Sequence, residues 1–304
     1  MTSQTQQLSS LEHYDISKKL SSSKYSVYQG FNEKLEQQVA LKFFDFHGVT
    51  DKNYRNQISI LSQLDHPHII KLIENVDEVS AVLERKQKQS SYIAFEFAEN
   101  GDLFEIVSKY GAMSEILCRT LFHQLVDAIE HMHSNGVAHL DLKLENLLFD
   151  KDFNLKVTDF DLSQSLDSTT LIARGTAGYR APEIKKGLCY NLKAADVYSL
   201  AIVLFILFNG SPPYAEIQRA MGLEFDGLYK LLMRNNTKFW ALHSQYKGNP
   251  QYYSQDFKDL INAMLLEEPS QRLTLEEIKQ TKWFQGPVLD QQAYDAEIKK
   301  YTSK

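Results

Sequence analysis

The side chains best suited to chemistry are concentrated in two short blocks of the sequence. The first block, HLDLKLEN, occupies 139–146, and Asp159-Phe160-Asp161 follows it thirteen residues later. Carboxylates, an ammonium group and an amide so close together are the groups that proton transfer and cation binding require. By itself the first block could also be a polar loop between a helix and a strand, and the second block makes that alternative weaker.

Two further blocks complete a recognisable order. Val39-Ala40-Leu41-Lys42 precedes the first block, and GTAGYRAPE at 175–183 follows the second. In this order the four blocks resemble the protein-kinase signature of strand lysine, catalytic loop, metal-binding triplet and A-P-E. The resemblance spans about residues 14–284, is of the serine/threonine type, and is nearest the calcium/calmodulin-dependent kinase group. Further family marks are Asp196, Pro212-Pro213-Tyr214, and Glu268-Pro269 with Arg272, which in the family pairs with Glu183.

The resemblance implies ATP and Mg²⁺ as cofactors and a role for each motif residue. Asp141 would orient the substrate hydroxyl and accept its proton, and Lys143 would offset charge on the γ-phosphoryl group. Thr176 would bond to both of them, although a plain turn residue is the alternative. Asn146 and Asp159 would bind the metal.

The resemblance also implies a nucleotide site. Glu96-Phe97-Ala98 looks like the hinge, with Phe95 in the gatekeeper position, and each apolar residue of the site could equally be ordinary core. The implied ATP-binding residues are Leu20, Ser21, Ser22, Ser23, Val27, Ala40, Lys42, Gln57, Glu96, Ala98, Asp102 and Leu148. Lys42 would hold the α/β-phosphates, and Asp102 could contact the ribose or a basic substrate residue.

Six positions depart from the family pattern. Ser21, Ser23 and Ser26 replace the glycines of the phosphate strap, and serine allows a less close backbone approach than glycine. Gln57 stands where a glutamate would pair with Lys42, and a neutral hydrogen bond is weaker than a charge-assisted one. Asp161 replaces the last glycine of the metal triplet, and Leu140 replaces the arginine before the catalytic aspartate.

Composition excludes several classes of protein. The chain has 304 residues, a net charge of −6 and 43% apolar residues, which argues against disorder and against nucleic acid as a partner. Its two cysteines lie 71 residues apart, which favours a reducing compartment. The polar start and a longest apolar run of nine residues predict neither a signal peptide nor a membrane span. We expect a cytoplasmic monomer, with the nucleus left open.

The predicted fold is α+β and two-lobed. Residues 1–12 read as a disordered leader, 13–97 as an N-lobe with an antiparallel sheet and one main helix, 98–284 as a mostly helical C-lobe, and 285–304 as a short tail. Helices are expected at 54–64, along the stripe from Leu117 to Met132, at 194–209, and around 227–245, 255–266 and 274–284. ERKQKQSS at 84–91 reads as a solvated hairpin loop between strands at 69–73 and 92–97.

Two functions follow, an active protein serine/threonine kinase and a pseudokinase that serves as a scaffold. The intact motif residues favour the first, and the serine strap and Gln57 favour the second. Glu145 and Asp102 suggest substrates with a basic residue before the acceptor. Residues 285–304 do not support calmodulin control. Because Leu140 cannot anchor a phosphate, we expect activity without phosphorylation of the segment 162–174.

Overall fold

The computed structural model describes residues 9–11, 13–22, 24–45, 51–168, 175–187, 191–213 and 227–301. Contacts divide the chain into two units, Met1–Glu99 and Asn100–Lys304, called here the first and second units. Ser23 and Tyr214, which the sequence analysis named, and all of residues 169–174 lie outside the described residues.

The first unit is built on an antiparallel sheet. Its strands are β1 (Ser9–Leu11), β2 (Tyr14–Ser22), β3 (Ser26–Asn32), β4 (Gln37–Asp45), β5 (Leu72–Leu83) and β6 (Lys86–Glu96). They are ordered β1-β2-β3-β4-β6-β5, and Ser10 of β1 also pairs with Val82 of β5, which closes the sheet on itself. Side chains on the inner face form one apolar cluster that includes Tyr28, Leu41 and Tyr92.

One helix accompanies this sheet in the described part of the first unit. The helix α1 (Lys52–Leu61) begins at Asp51, whose side chain accepts a hydrogen bond from the N–H of Asn53 and caps the first turn. Its buried residues include Tyr54, Ile60 and Leu61, and the helix ends at Leu61, three residues before the predicted end at 64.

Two predictions for the first unit are wrong. The predicted disordered leader contains β1 (Ser9–Leu11), which is ordered by pairing with β2. The polar sequence of this segment does not predict a strand. The predicted loop at 84–91 is mostly strand, because Glu84 and Arg85 alone make the turn with φ of 51° and 65° and β6 begins at Lys86. Residues 86–89 are exposed on both faces, so they lack the alternation that marks a half-buried strand.

The second unit is mostly helical. Its helices are α2 (Leu103–Tyr110), α3 (Glu115–Ser134), α4 (Pro182–Lys186), α5 (Leu192–Asn209), α6 (Gly227–Arg234), α7 (Asn236–Tyr246), α8 (Gln255–Met264), α9 (Leu275–Gln280) and α10 (Gln291–Ile298). Two short antiparallel pairs accompany them, β7 (Val137–Ala138) with β10 (Gln164–Ser165) and β8 (Leu147–Phe149) with β9 (Leu155–Val157). The predicted α+β fold class is confirmed.

The helix α5 is the centre of this unit. It is long and apolar enough to cross a membrane, but 94% of it is buried inside the protein, as expected of a core helix. Seventeen of its 18 residues are buried, so it has no polar face.

Two helical predictions need adjustment. The helix expected around 227–245 is two helices, because Asn235 ends α6 and its side chain accepts the N–H of Lys238 to cap α7. The predicted C-terminal tail contains α10, whose Tyr294 hydroxyl donates to the backbone oxygen of Phe153 at 2.6 Å.

A buried ion pair ties α4 to the segment before α9. The guanidinium of Arg272 donates to both carboxylate oxygens of Glu183, at 2.7 Å for the Nη2 contact, and both side chains are nearly inaccessible. Arg272 also donates to the backbone oxygens of Ala194, Leu266 and Glu267, which satisfies the guanidinium away from water.

We expect Arg272→Met to lower the free energy of unfolding by about 3–5 kcal/mol, because it leaves the Glu183 carboxylate buried without its cation. Urea unfolding measures the effect. Lys186→Met is the control, since it breaks an exposed pair with Glu267 at 2.8 Å and should cost less than about 1 kcal/mol. A similar small loss in both variants would contradict the prediction.

Candidate active site

Three of the predicted catalytic side chains form a closed ring of hydrogen bonds in the second unit. Asp141 Oδ1 accepts from the Thr176 N–H at 2.9 Å and from its hydroxyl at 2.8 Å. Lys143 Nζ donates to Asp141 Oδ2 at 2.8 Å and to Thr176 Oγ1 at 3.0 Å. Asp141 is only 8% exposed, so the ring fixes one orientation of its carboxylate. The ring can therefore hold a base beside a cation.

Asn146 contacts this ring directly, and Asp159 follows a residue whose backbone is bonded to Asn146. Asn146 Nδ2 donates to the backbone oxygen of Asp141 at 2.8 Å and more weakly to its Oδ2 at 3.3 Å. Because the amide nitrogen is used there, the amide oxygen is the atom that remains for a cation. The N–H of Thr158 donates to the Asn146 backbone oxygen at 3.0 Å, which places Asp159 one residue from that contact. An amide and a carboxylate oxygen fit a hard ion such as Mg²⁺.

The loop before Asp141 is anchored by a buried carboxylate of α5. Asp196, which is fully buried, accepts from the backbone N–H groups of His139 at 2.9 Å and Leu140 at 2.8 Å. His133 Nε2 contacts the same carboxylate at 2.9 Å. These bonds hold Leu140 at a φ of 63°, a conformation that a leucine rarely adopts.

Gly175 is required by the same loop. Its φ is 109°, and a Cβ at this position would lie 2.9 Å from the backbone oxygen of Leu140. A glycine therefore lets the segment that carries Thr176 approach the catalytic loop closely.

In the first unit, Lys42 and Gln57 meet as the sequence predicts. Lys42 Nζ donates to Gln57 Oε1 at 3.1 Å, and Gln57 is 1% exposed. Val27 pairs with Lys42 across β3 and β4, so the two side chains share one face of the sheet. Ala40 lies two residues before Lys42 and belongs to that face too, and Phe95 pairs with it from β6.

A tyrosine that the sequence analysis did not single out also contacts Lys42. The ring centroid of Tyr25 lies 5.2 Å from Lys42 Nζ and 4.4 Å from the Phe44 ring. The Tyr25 hydroxyl donates to Asp51 Oδ2 at 2.7 Å and thus joins the β2–β3 hairpin to the start of α1. In the sequence, this contact of Tyr25 was indicated only by the presence of an aromatic residue next to Lys24 in an otherwise polar strap.

The rest of the strap is a hairpin. Ser22 pairs with Ser26 and Ser21 with Val27, which leaves a three-residue connection. Leu20 is 41% exposed, and Ser21 is exposed too.

The remaining predicted nucleotide residues are Glu96 and Ala98, near the end of the first unit, and Asp102 and Leu148 in the second unit. Glu96 ends β6, and its carboxylate accepts the N–H of Lys71 at 2.8 Å. Ala98 follows it in an irregular segment. In the second unit Asp102 forms an isolated bridge with Leu148, and its Oδ1 accepts the N–H of Glu105 at 2.8 Å, which caps α2.

Asp102 lies in a negative environment. Burial raises the pKa of its carboxyl, which the Glu105 N–H hydrogen bond opposes, and the carboxylates of Glu105 and Glu145 raise it further. Glu145, the other acid predicted to face the substrate, therefore acts electrostatically on Asp102. A cation bound there would relieve their repulsion.

Comparisons with known proteins identify close relatives. The protein kinase domain family matches residues 14–284. CBL-interacting protein kinase 11 of Oryza sativa subsp. japonica is 33% identical over 285 residues, which cover 90% of this chain and 52% of the relative. Serine/threonine-protein kinase SIK2 of Gallus gallus is 34% identical, over 92% of this chain and 33% of the relative. The chain thus spans about half or less of the length of these two proteins.

We expect Tyr25→Phe to lower stability at neutral pH by about 0.5–1 kcal/mol, because the bond to Asp51 is lost while the ring remains. Burial acts to raise the pKa of Asp51, but bonds from Tyr25 and Asn53, with Lys24 nearby, outweigh it and hold that pKa below its ordinary value. A carboxyl group whose pKa is lower in the folded than in the unfolded protein stabilises the fold at pH values above the unfolded pKa, near 4. This stabilisation is lost as the pH falls through the folded pKa.

The measurement is urea unfolding of wild type and Tyr25→Phe from pH 7 down to pH 3. The two stabilities should converge as Asp51 is protonated. Tyr246→Phe, at a 53% exposed tyrosine of the second unit, is the control and should show no such pH-dependent difference. A Tyr25→Phe effect that stays constant with pH would show that the hydroxyl does not act through Asp51.

Proposed function

Because the chain belongs to the protein kinase domain family, we propose that it transfers the γ-phosphate of ATP to serine or threonine hydroxyls of protein substrates. The sequence prediction of the family, of serine/threonine type and nearest the calcium/calmodulin-dependent kinase group, is confirmed. The hydrogen-bonded ring of Asp141, Lys143 and Thr176 carries the proposal, since phosphoryl transfer depends on positioning and charge neutralisation.

Each member of the ring has one task. Asp141 accepts the proton of the substrate hydroxyl, and Thr176 keeps the carboxylate turned towards it. Lys143, already 2.8 Å from Asp141, neutralises charge on the group in transfer. Serine and threonine are the proposed acceptors because the relatives are serine/threonine-protein kinases.

Kinases of this family use ATP and Mg²⁺, and both units offer residues for them. Mg²⁺ neutralises phosphate charge when bound, and Asn146 and Asp159 would hold it. Lys42 would bind the α/β-phosphates from the first unit, and the hinge, strap and apolar residues named above would bind the rest of the nucleotide.

A pseudokinase scaffold is the second candidate. It is favoured by the strap serines and by Gln57, whose neutral amide contacts Lys42 where a carboxylate would bind more strongly. The kinase proposal is the stronger one because every motif residue of the ring and of the metal pair is present.

Regulation and substrate choice follow from neighbouring residues. Leu140 carries no cation for a phosphate, so we propose that activity does not require phosphorylation of the segment after Asp161. Arg174 lies outside the described residues. The negative charges of Asp102 and Glu145 support substrates with a basic residue near the acceptor. We further propose a cytoplasmic location, which the two widely separated cysteines support, and a monomeric state.

Asp141→Asn should reduce phosphate transfer at least about 100-fold, because the amide cannot take the proton. Asp159→Asn should abolish transfer while the thermal unfolding of the nucleotide-free protein stays nearly unchanged. Radiolabelled-phosphate transfer to generic protein substrates, with Mg²⁺ or Mn²⁺, measures both. Asp152→Asn, at an exposed carboxylate of the same unit, should keep full activity. If wild type transfers phosphate to no substrate, the scaffold candidate replaces the kinase.

Gln57→Glu should tighten ATP binding by about 1–2 kcal/mol, because it converts the 3.1 Å contact with Lys42 into a charge-assisted hydrogen bond. Titration calorimetry measures it. Gln63→Glu adds the same charge at an exposed position beyond the end of α1 and should change nothing. Unchanged or weaker binding by Gln57→Glu would mean that Lys42 already has a carboxylate partner.

A further inference from the structure

A basic cavity lies in the second unit, outside the site described above. It has a volume of about 500 Å³ and is lined by parts of α4, α5 and α6. Among its lining residues are four cations and one carboxylate: Lys185, Lys186, Lys230, Arg234 and Glu267. The chain as a whole has a net charge of −6, so this excess of positive charge is local.

The single carboxylate does not neutralise the cavity. Glu267 pairs with Lys186 at 2.8 Å and is thereby occupied. Lys230 and Arg234 are four residues apart on α6, so they extend from the same side of the helix. Both are exposed, and neither forms an ion pair with any residue of the described part of the chain.

The floor of the cavity is rigid and aromatic. The rings of Tyr198 and Tyr229 meet edge to face, with centroids 6.3 Å apart. The guanidinium of Arg272 lies 5.1 Å from the Tyr198 ring centroid and is itself held by Glu183. Aromatic rings held by these contacts, beside exposed cationic side chains, suit a ligand that inserts one anionic group.

The cavity begins close to the catalytic ring. Gly178 lines it and follows Thr176 by two residues, and two residues span at most about 7 Å. A substrate chain advances about 3.3 Å per residue when extended. A side chain two to four residues from the acceptor hydroxyl can therefore reach the cavity.

We propose that this cavity binds an anionic side chain of the substrate, located two to four residues from the phosphorylated serine or threonine. The inference rests on the proposed kinase function and names a second determinant of its substrates. Lysine and arginine at the rim would contact either a carboxylate or a phosphate, and arginine can bind both oxygens of such a group at once. Asp102 and Glu145 would select for positive charge elsewhere on the same substrate.

The test uses the full chain and peptides with one acceptor serine in a neutral background. At each position from four before to four after the serine, the peptides carry glutamate, phosphoserine or glutamine, and kcat/KM is measured. The variant Lys230→Glu with Arg234→Glu reverses the charge of the rim. Lys238→Glu with Lys282→Glu is the matched control, since it makes the same charge change at exposed positions outside the cavity.

We expect glutamate to raise kcat/KM at least fivefold over glutamine at one or more positions two to four residues from the serine. The advantage should fall below twofold in the rim variant and persist in the control. A larger advantage for phosphoserine would assign the cavity to phosphate, and equal advantages would assign it to anions in general. No advantage in wild type, or an advantage that the rim variant keeps, would overturn the inference.

A binding measurement separates this inference from the proposed function. Peptides whose acceptor serine is replaced by alanine are titrated with wild type and variants, and fluorescence anisotropy reports affinity without any transfer. If wild type transfers phosphate to nothing yet binds glutamate peptides at least fivefold more tightly through Lys230 and Arg234, the kinase function fails and the cavity stands. Should the rim variant not fold, Lys230→Gln with Arg234→Gln replaces it with the same expected loss.

Discussion

One buried carboxylate sets the geometry of the catalytic loop. Asp196 lies on a helix that is apolar almost throughout, and it accepts two backbone N–H groups of the loop as well as a histidine nitrogen. A carboxylate without such partners would be strongly disfavoured in this core. If the loop moved away from Asp196, the buried carboxylate would lose its hydrogen-bond donors. The loop is therefore held in place, and Leu140 keeps its left-handed backbone conformation.

The helix α5 also carries Tyr198, two residues after Asp196. Tyr198 lies beneath the Arg272 guanidinium, which binds Glu183 just after the segment that carries Thr176. The helix α5 thus connects the loop that bears Asp141 to the segment that completes the hydrogen-bonded ring. Precise side-chain placement on two separate loops then depends on one rigid element in the core.

Sequence reasoning found the site because its members are local in the chain. Asp141, Lys143 and Asn146 lie within six residues, so their type and order could be recognised before their geometry was known. The buried helix was also predictable, since its apolar residues form an unbroken run. These are cases in which local pattern and tertiary packing agree.

The features that were missed depend on distant partners. The hydrogen bond between Tyr25 and Asp51 joins residues that are 26 positions apart, and nothing in the sequence near either residue predicts the other as its partner. The strand β1 is too short to show periodicity and exists because β2 and β5 pair with it. The Glu84-Arg85 turn uses residues that carry no usual preference for positive φ, so the strands around it impose the conformation.

The closure of the sheet by β1 bears on where this domain can be cut. The family match begins at residue 14 and ends at residue 284, which leaves out both β1 and α10. A protein trimmed to that match would expose the edge of β5 near Val82, and unpaired strand edges recruit other chains. It would also uncover Ser114, which now contacts Glu297 and Tyr301. Recombinant production is therefore better served by boundaries that keep residues 9–301 together.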